Sequence, residues 1–196
     1  NAPTSNTVAV AEHTMALMLC LARHICQADA GLHAGKWQKH GLMGSELRGK
    51  VLGLIGLGRV GSMVASRARG MEMRVIAHDP FISPEKAAQL DVELVGFDDL
   101  LSRSDYVSVH TPVTERTRGM ISARELALMK PGARLINCAR GGLVVEEDLA
   151  HALVAGRIAG AALDVFEDEP HVKPILMQCP NLILTPHLGA STEEAQ

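Results

Sequence analysis

A doubly wound α/β fold, a parallel sheet with helices packed on both faces, is what this sequence predicts. Three observations carry the expectation: seven short apolar runs, helical patterns between them, and a glycine-rich turn directly after the first run. The runs are 51–55, 74–78, 92–95, 106–110, 134–138, 159–164 and 182–185. They are apolar on both faces, as parallel strands covered by helices on either side must be. Strand and helix in strict alternation is the pattern of a layered α/β domain. With 196 residues the chain is long enough to bury one core without disulfide staples, so residues 1–196 are expected to form one domain.

Taken in order, residues 7–30 place Val8, Ala11, Met15, Leu19 and Ala22 near helical spacing, while Val10, Leu17 and Leu21 fall elsewhere on the wheel. A helix apolar around much of its girth needs partners on more than one side, either within the domain or from a second subunit. Glu12 and His13 interrupt the apolar stretch 8–22, which favours a buried helix over a membrane span. Residues 31–48, glycine-rich and holding Trp37, read as an irregular connection. A helix follows Gly61 through Arg69. Ser83-Pro84 offers an N-cap with proline at the first helical position. Ser122-Ala-Arg-Glu125 has the spacing of a capping box. The stretch 146–155 opens with acids and closes at Gly156, which suits a helix at both ends.

Composition narrows the function classes. Charged residues make up 21% of the chain and the net charge is -3, so nothing draws it toward nucleic acid or an anionic membrane. One Trp, one Tyr and three Phe form no stacking platform for single strands. Cys20, Cys26, Cys138 and Cys179 make no CxxC pair, which suits reduced thiols and a cytoplasmic location, and no metal site is expected. The chain opens on Asn1 without an initiator Met and stops at Gln196 within a polar run, so it reads as a piece of a longer protein.

The glycine-rich turn is Gly56-Leu-Gly58-Arg-Val-Gly61. After a strand and before a helix, Gly56 permits the tight turn, Gly58 lets backbone N–H groups approach a pyrophosphate, and Gly61 lets helix and strand pack closely. The pyrophosphate would lie on the helix N-terminus, where free N–H groups favour anions. Asp79 ends the second strand, placed to accept from the adenosine ribose hydroxyls and to repel a 2′-phosphate, which favours NAD. As a bland alternative, Asp79-Pro80 is a turn-forming pair. The fold is thus of the Rossmann type, whose ligands lie outside the carboxyl ends of the strands. His110-Thr111-Pro112, Asn137-Cys-Ala-Arg140, Asp164 with Glu167, Asp168 and Glu169, and Thr185-Pro-His187 all stand there. Oxidising a secondary alcohol needs a base for the hydroxyl proton, and an imidazole with a free pKa of about 6.5 suits that task. A carboxylate such as Glu169 would hold the ring, and Arg140 could grip a substrate carboxylate with two parallel hydrogen bonds. Asp164 could accept from the nicotinamide amide. Spacing alone leaves His187 and His110 both open as the base, and Arg140 or Glu169 could be no more than loop residues. His13, His24, His33, His40, His78, His151 and His171 read as surface or helix residues.

Asn137-Cys-Ala-Arg-Gly-Gly142, Ala161-Ala-Leu-Asp-Val-Phe-Glu-Asp-Glu-Pro170 and Thr185-Pro-His-Leu-Gly-Ala-Ser-Thr192, with the opening Asn1-Ala-Pro-Thr-Ser-Asn6 and Glu12, resemble the signatures of the D-isomer-specific 2-hydroxyacid dehydrogenases. The resemblance covers essentially the whole chain. It implies NAD as cofactor, His187 as acid/base, Glu169 as its partner and Arg140 as the binder of the substrate carboxylate. It places Arg59 and Val60 on the pyrophosphate and Asp79 on the ribose. Thr111, Cys138, Ala139, Arg140, Asp164, His187, Gly189 and Ala190 would line the dinucleotide, and Asn6 would lie near the substrate cleft. Within the family, 186–196 and Asn137-Cys-Ala-Arg140 look most like the members that oxidise a phosphorylated three-carbon acid for amino-acid synthesis. Other small 2-hydroxy acids, or a dinucleotide-sensing corepressor of the same fold, are the alternatives. The resemblance further implies a homodimer through this domain, tetramers in the full protein, and substrate-domain halves on either side of the chain. On that basis the piece alone should bind NAD with little or no turnover. Two positions depart from the family pattern: Val145 stands where Asp is frequent, and Arg69-Gly70 replaces an apolar-Gly pair.

Overall fold

A computed structural model describes residues 5–195, the side chain of Ser5 excepted; residues 1–4 and 196, which carry the ends of two of the motifs above, lie outside the described residues. Seven parallel strands form one sheet: β1 (Val51–Ile55), β2 (Arg74–His78), β3 (Glu93–Leu94), β4 (Tyr106–Val109), β5 (Arg134–Asn137), β6 (Gly160–Leu163) and β7 (Leu182–Leu184). Their spatial order is β3-β2-β1-β4-β5-β6-β7. The order reverses between β1 and β4, and at such a switch point the connections leave to opposite faces and open a crevice at the carboxyl edge.

The helices are α1 (Ser5–Arg23), α2 (Ile25–His33), α3 (Arg59–Gly70), α4 (Pro84–Gln89), α5 (Phe97–Arg103), α6 (Ala123–Leu128), α7 (Glu146–Val154) and α8 (Pro174–Met177). Alternation along the strands divides the core. Leu52 and Leu54 face Met15, Met18 and Leu21 of α1 and Val64 of α3, whereas Val51 and Ile55 face Leu100, Leu126 and Leu149 on the other side. A Cβ on Gly53 would stand 2.2 Å from Ser104 Oγ, so glycine here lets the end of α5 lie against the sheet. Ser83 Oγ accepts Lys86 N–H at 3.3 Å, and Glu125 accepts the backbone N–H of Ser122 at 3.0 Å, so both start signals act as the sequence implies.

Three expectations need correction. The first helix does not run from 7 to 30 unbroken: His24 takes a left-handed conformation (φ 54°) and the chain bends by 67° into α2. Residues 31–48 are not wholly irregular, since α2 continues to His33 and Lys39–Gly41 form a 3₁₀ turn. Strands β4 to β7 each stop a residue before the expected end, at Val109, Asn137, Leu163 and Leu184. Three of the residues that follow still donate one ladder bond, His110 N–H to Ile55, Asp164 N–H to Asn137 and Thr185 N–H to Leu163. Helix α1 buries its several apolar faces inside the domain, against α3, β5 and β6. No single helix among the described residues is long and apolar enough to cross a membrane.

Candidate active site

Two contiguous hollows follow the carboxyl edge of the sheet. One, of about 770 Å³, runs over Gly56, Gly58, His78, Asp79 and Pro80; the other, of about 470 Å³, is walled by Asn6, Val60, Cys138, Ala139, Arg140, Asp164, His187, Gly189 and Ala190. Both include His110, Thr111 and Pro112, so they form one long groove across the switch point.

The glycine loop is built as its spacing requires. Gly56 has φ +97°, and a Cβ there would meet the His110 carbonyl oxygen at 2.6 Å. A Cβ on Gly61 would stand 2.2 Å from the Gly56 carbonyl oxygen, so that glycine seats α3 against the turn. Gly58 faces open space, and no side chain caps α3 behind it, which leaves a helix N-terminus bare toward the groove. Arg59 is exposed at the start of α3. The Asp79 carboxylate accepts Leu57 N–H at 2.8 Å through Oδ2 and Phe81 N–H at 2.9 Å through Oδ1. One oxygen thus closes the Asp79-Pro80 turn and the other ties the glycine loop to β2, where Asp79 lines the larger hollow.

At the other end, His187 Nδ1 lies 2.7 Å from Glu169 Oε2. Burial pushes the Glu169 carboxyl up, but the bonds from His187 and from Phe166 N–H (3.0 Å) outweigh it and hold the group below its ordinary value. A carboxylate has no proton to give, so Nδ1 carries the hydrogen and Nε2 of the neutral ring holds the lone pair. Arg140 lines the same hollow, its Nη1 donating to the Ala139 carbonyl at 2.6 Å. Its loop is shaped by Asn137, buried at the end of β5: Nδ2 donates to the Arg140 carbonyl at 2.9 Å and Oδ1 accepts Ala139 N–H at 3.0 Å. A Cβ on Gly141 would sit 1.7 Å from the Phe166 carbonyl oxygen, so glycine there lets the Arg140 loop touch the loop carrying Glu169.

His110, the rival base, is disfavoured by its surroundings. Burial pushes its pKa down to about 4, and Nε2 is engaged with Ser108 Oγ at 2.8 Å. Its buried Nδ1 has no hydrogen-bond partner among the described residues. Cys138 is no nucleophile: burial pushes its thiol up to about 12. Among the described residues no group of three or more His, Cys, Asp or Glu could hold a metal.

Two contributors escaped the sequence reading. Asn137 stood within a quoted motif without a role. His13, read only as a surface or helix residue, reaches Asp164 Oδ1 and Thr185 Oγ1 from α1, each at 3.2 Å. The signal was present in the spacing: Asn6, Val10 and His13 recur at helical intervals, and Asn6 and Val10 both line the hollow.

The bare α3 terminus, the open space over Gly58 and the long groove fit a dinucleotide. Residues 15–189 match the family described as D-isomer specific 2-hydroxyacid dehydrogenase, NAD binding domain. The chain is 50% identical over 196 residues to D-3-phosphoglycerate dehydrogenase of Synechocystis and 51% identical over 197 residues to that of Archaeoglobus fulgidus, covering all of this chain but 35% and 37% of those proteins. It thus spans little more than a third of these relatives. Among solved structures, a glyoxylate reductase from Paecilomyes thermophila superposes with a TM-score of 0.92 at 36% identity, over 98% of this chain and 58% of that one. D-lactate dehydrogenase with NAD+ from Lactobacillus jensenii superposes with a TM-score of 0.87 at 32% identity, over 100% and 63%. The chain belongs to the D-isomer-specific 2-hydroxyacid dehydrogenase family, whose NAD-binding domain it matches.

Proposed function

We propose that residues 1–196 are the dinucleotide-binding domain of a D-3-phosphoglycerate dehydrogenase, which oxidises 3-phospho-D-glycerate at C2 to 3-phosphohydroxypyruvate in serine biosynthesis. The observation that carries the reading is the 2.7 Å contact of Glu169 with His187 Nδ1, which turns Nε2 into a base inside the hollow that Arg140 also lines. The identity of about half the chain to D-3-phosphoglycerate dehydrogenases supports the substrate.

In this reading Arg140 holds the substrate carboxylate with two parallel hydrogen bonds and so presents the C2 hydroxyl to His187. As the C2–H bond breaks and its electron pair departs, the hydroxyl proton passes to Nε2 and the C–O bond becomes a carbonyl. Glu169 steadies the imidazolium that forms, and the reverse reaction returns the proton by the same route. NAD, when bound, would supply the hydride acceptor. Gly56, Gly58, Arg59, Val60 and Gly61 would hold its pyrophosphate and Asp79 the adenosine ribose. Thr111, Cys138, Ala139, Asp164, Gly189 and Ala190 would line the dinucleotide, and Asn6 would border the substrate.

The same proposal extends to assembly and location. Helix α2 buries none of its residues, and with the following loop it exposes Ile25 (50%), Leu32 (58%), Trp37 (83%) and Met43 (89%), an apolar surface suited to a second copy of the chain. Four free thiols suit the cytoplasm. Turnover of the full-length protein with NAD on 3-phosphoglycerate, glycerate and lactate tests the substrate. The phosphorylated acid should have the highest kcat/KM; preference for an unphosphorylated acid overturns that assignment, and failure of the chain to bind NAD in calorimetry overturns the whole.

A further inference from the structure

Asp164 has no solvent contact, and burial pushes its carboxyl up; His13, Thr185 and the backbone of Leu188 and Gly189 more than offset this and keep it ionised. Oδ1 accepts Thr185 Oγ1 at 2.6 Å and Leu188 N–H at 2.7 Å, and Oδ2 accepts Gly189 N–H at 2.8 Å. The Asp164 carbonyl accepts His187 N–H at 2.9 Å. One residue thus grips the turn that carries His187 from both sides. The turn needs gripping: His187 has φ +55°, a left-handed conformation that costs a side chain about 1 to 2 kcal/mol and persists only where neighbours enforce it.

His13 reaches this cluster from α1. Thr185 spends its proton on Asp164, and the carboxylate has none, so the contacts at 3.2 Å require that His13 Nε2 carry the hydrogen and donate. That donor joins the anchor of the His187 turn to a helix packed on the sheet.

We infer that His13 is a positioning residue for the reaction proposed above: its Nε2–H holds Asp164 in the orientation that keeps His187 aimed into the hollow. Arg140 stands on a different loop, so its grip on the substrate carboxylate does not depend on His13. This inference rests on the proposed function for its kinetic consequence, and on the geometry alone for its spectroscopic one.

The test compares His13→Leu, which keeps bulk without a donor, with His13→Gln, whose amide N–H spans a similar reach, and His13→Asn, which is polar but too short. In the full-length enzyme the Leu and Asn variants should lose about tenfold or more in kcat with KM for the hydroxy acid within about twofold, and Gln should recover most of the loss. In this chain, nuclear magnetic resonance should show the Leu188 and Gly189 amide protons downfield in wild type and His13→Gln and displaced upfield in His13→Leu and His13→Asn. Unchanged kcat in all three variants, kcat and KM falling away together, or Gln no better than Leu overturns the inference. Wild-type enzyme without turnover overturns the proposed reaction, and the amide shifts then decide His13 separately: upfield movement supports its hold on the turn, and none overturns it.

Discussion

At the scale of single residues, the contact of Glu169 with His187 fixes which nitrogen of one imidazole carries a proton. Glu169 does this with both oxygens occupied, Oε2 by His187 and Oε1 by Phe166 N–H. A Gln at 169 can accept from one of these donors but must turn its NH₂ toward the other, so Glu169→Gln cannot satisfy both. We expect kcat to fall by about 10- to 100-fold with little change in NAD affinity, measured by steady-state kinetics of the full-length enzyme and by calorimetry. The pH dependence follows from the sign of the shift. Because the folded pKa of Glu169 lies below its ordinary 4.5, the pair is intact above that range and is lost only as pH falls through the lowered value. Any loss of activity between pH 7 and 5 therefore belongs to another group. The residue types that gather at the carboxyl edge were legible in sequence because each stands at, or in the loop after, a strand end. The clamps were not: Asp164 bonds Thr185, Leu188 and Gly189, 21 to 25 residues away, and no local pattern encodes that distance.

At the scale of elements, strands β1 and β2 match their sequence limits because Gly, charged residues and Asp-Pro flank them. The break at His24 was illegible, since nothing in that side chain forbids a helix and tertiary packing sets the bend. Helices α5 and α8 are too short for periodicity to reveal. Loop contacts between elements yield one prediction. With the Phe166 carbonyl 1.7 Å from an added Cβ, Gly141→Ala must separate the Arg140 loop from the Glu169 loop. A loss of about 1 to 3 kcal/mol or more in urea unfolding is expected, with a larger fractional loss of turnover than of NAD binding. A stabilising prediction comes from α7. Val145 sits at its N-cap in extended conformation (φ -74°, ψ 108°) with no side-chain bond to the first turn. Thr has nearly the shape of Val and adds the missing acceptor. Val145→Thr should stabilise by about 1 kcal/mol and raise Tm by about 2 to 4 °C, read by calorimetry; an unchanged Tm would show that the turn at 145 finds its partners elsewhere.

At the scale of the whole molecule, the groove imposes a cost that pH exposes. The carboxylates held low by partners, such as Asp105 with Val51 N–H at 2.8 Å and Lys130 Nζ at 3.0 Å, lend stability above their ordinary range and lose it only as pH falls below about 4. Glu146 runs the other way: burial raises its pKa, so the fold gains as pH falls from that raised value toward 4.5. His110 alone among the shifted groups acts against the fold in the range between. Its ring is pushed from 6.5 to about 4 by burial, so the unfolded chain takes up a proton at 6.5 that the folded chain refuses until about 4. Stability is complete above 6.5, declines as pH drops, and stops declining for this group near 4. Full burial would make the decline about 1.4 kcal/mol per pH unit and about 3 kcal/mol in all, an upper bound because water reaches part of the residue. Urea unfolding of wild type and His110→Gln at pH 7, 6 and 5 isolates the effect, since the carboxylates contribute equally to both. Wild type should lose stability more steeply than the variant over that interval, and parallel slopes would mean that His110 is hydrated in the folded protein and that the switch-point groove is wetter at its floor than its packing indicates.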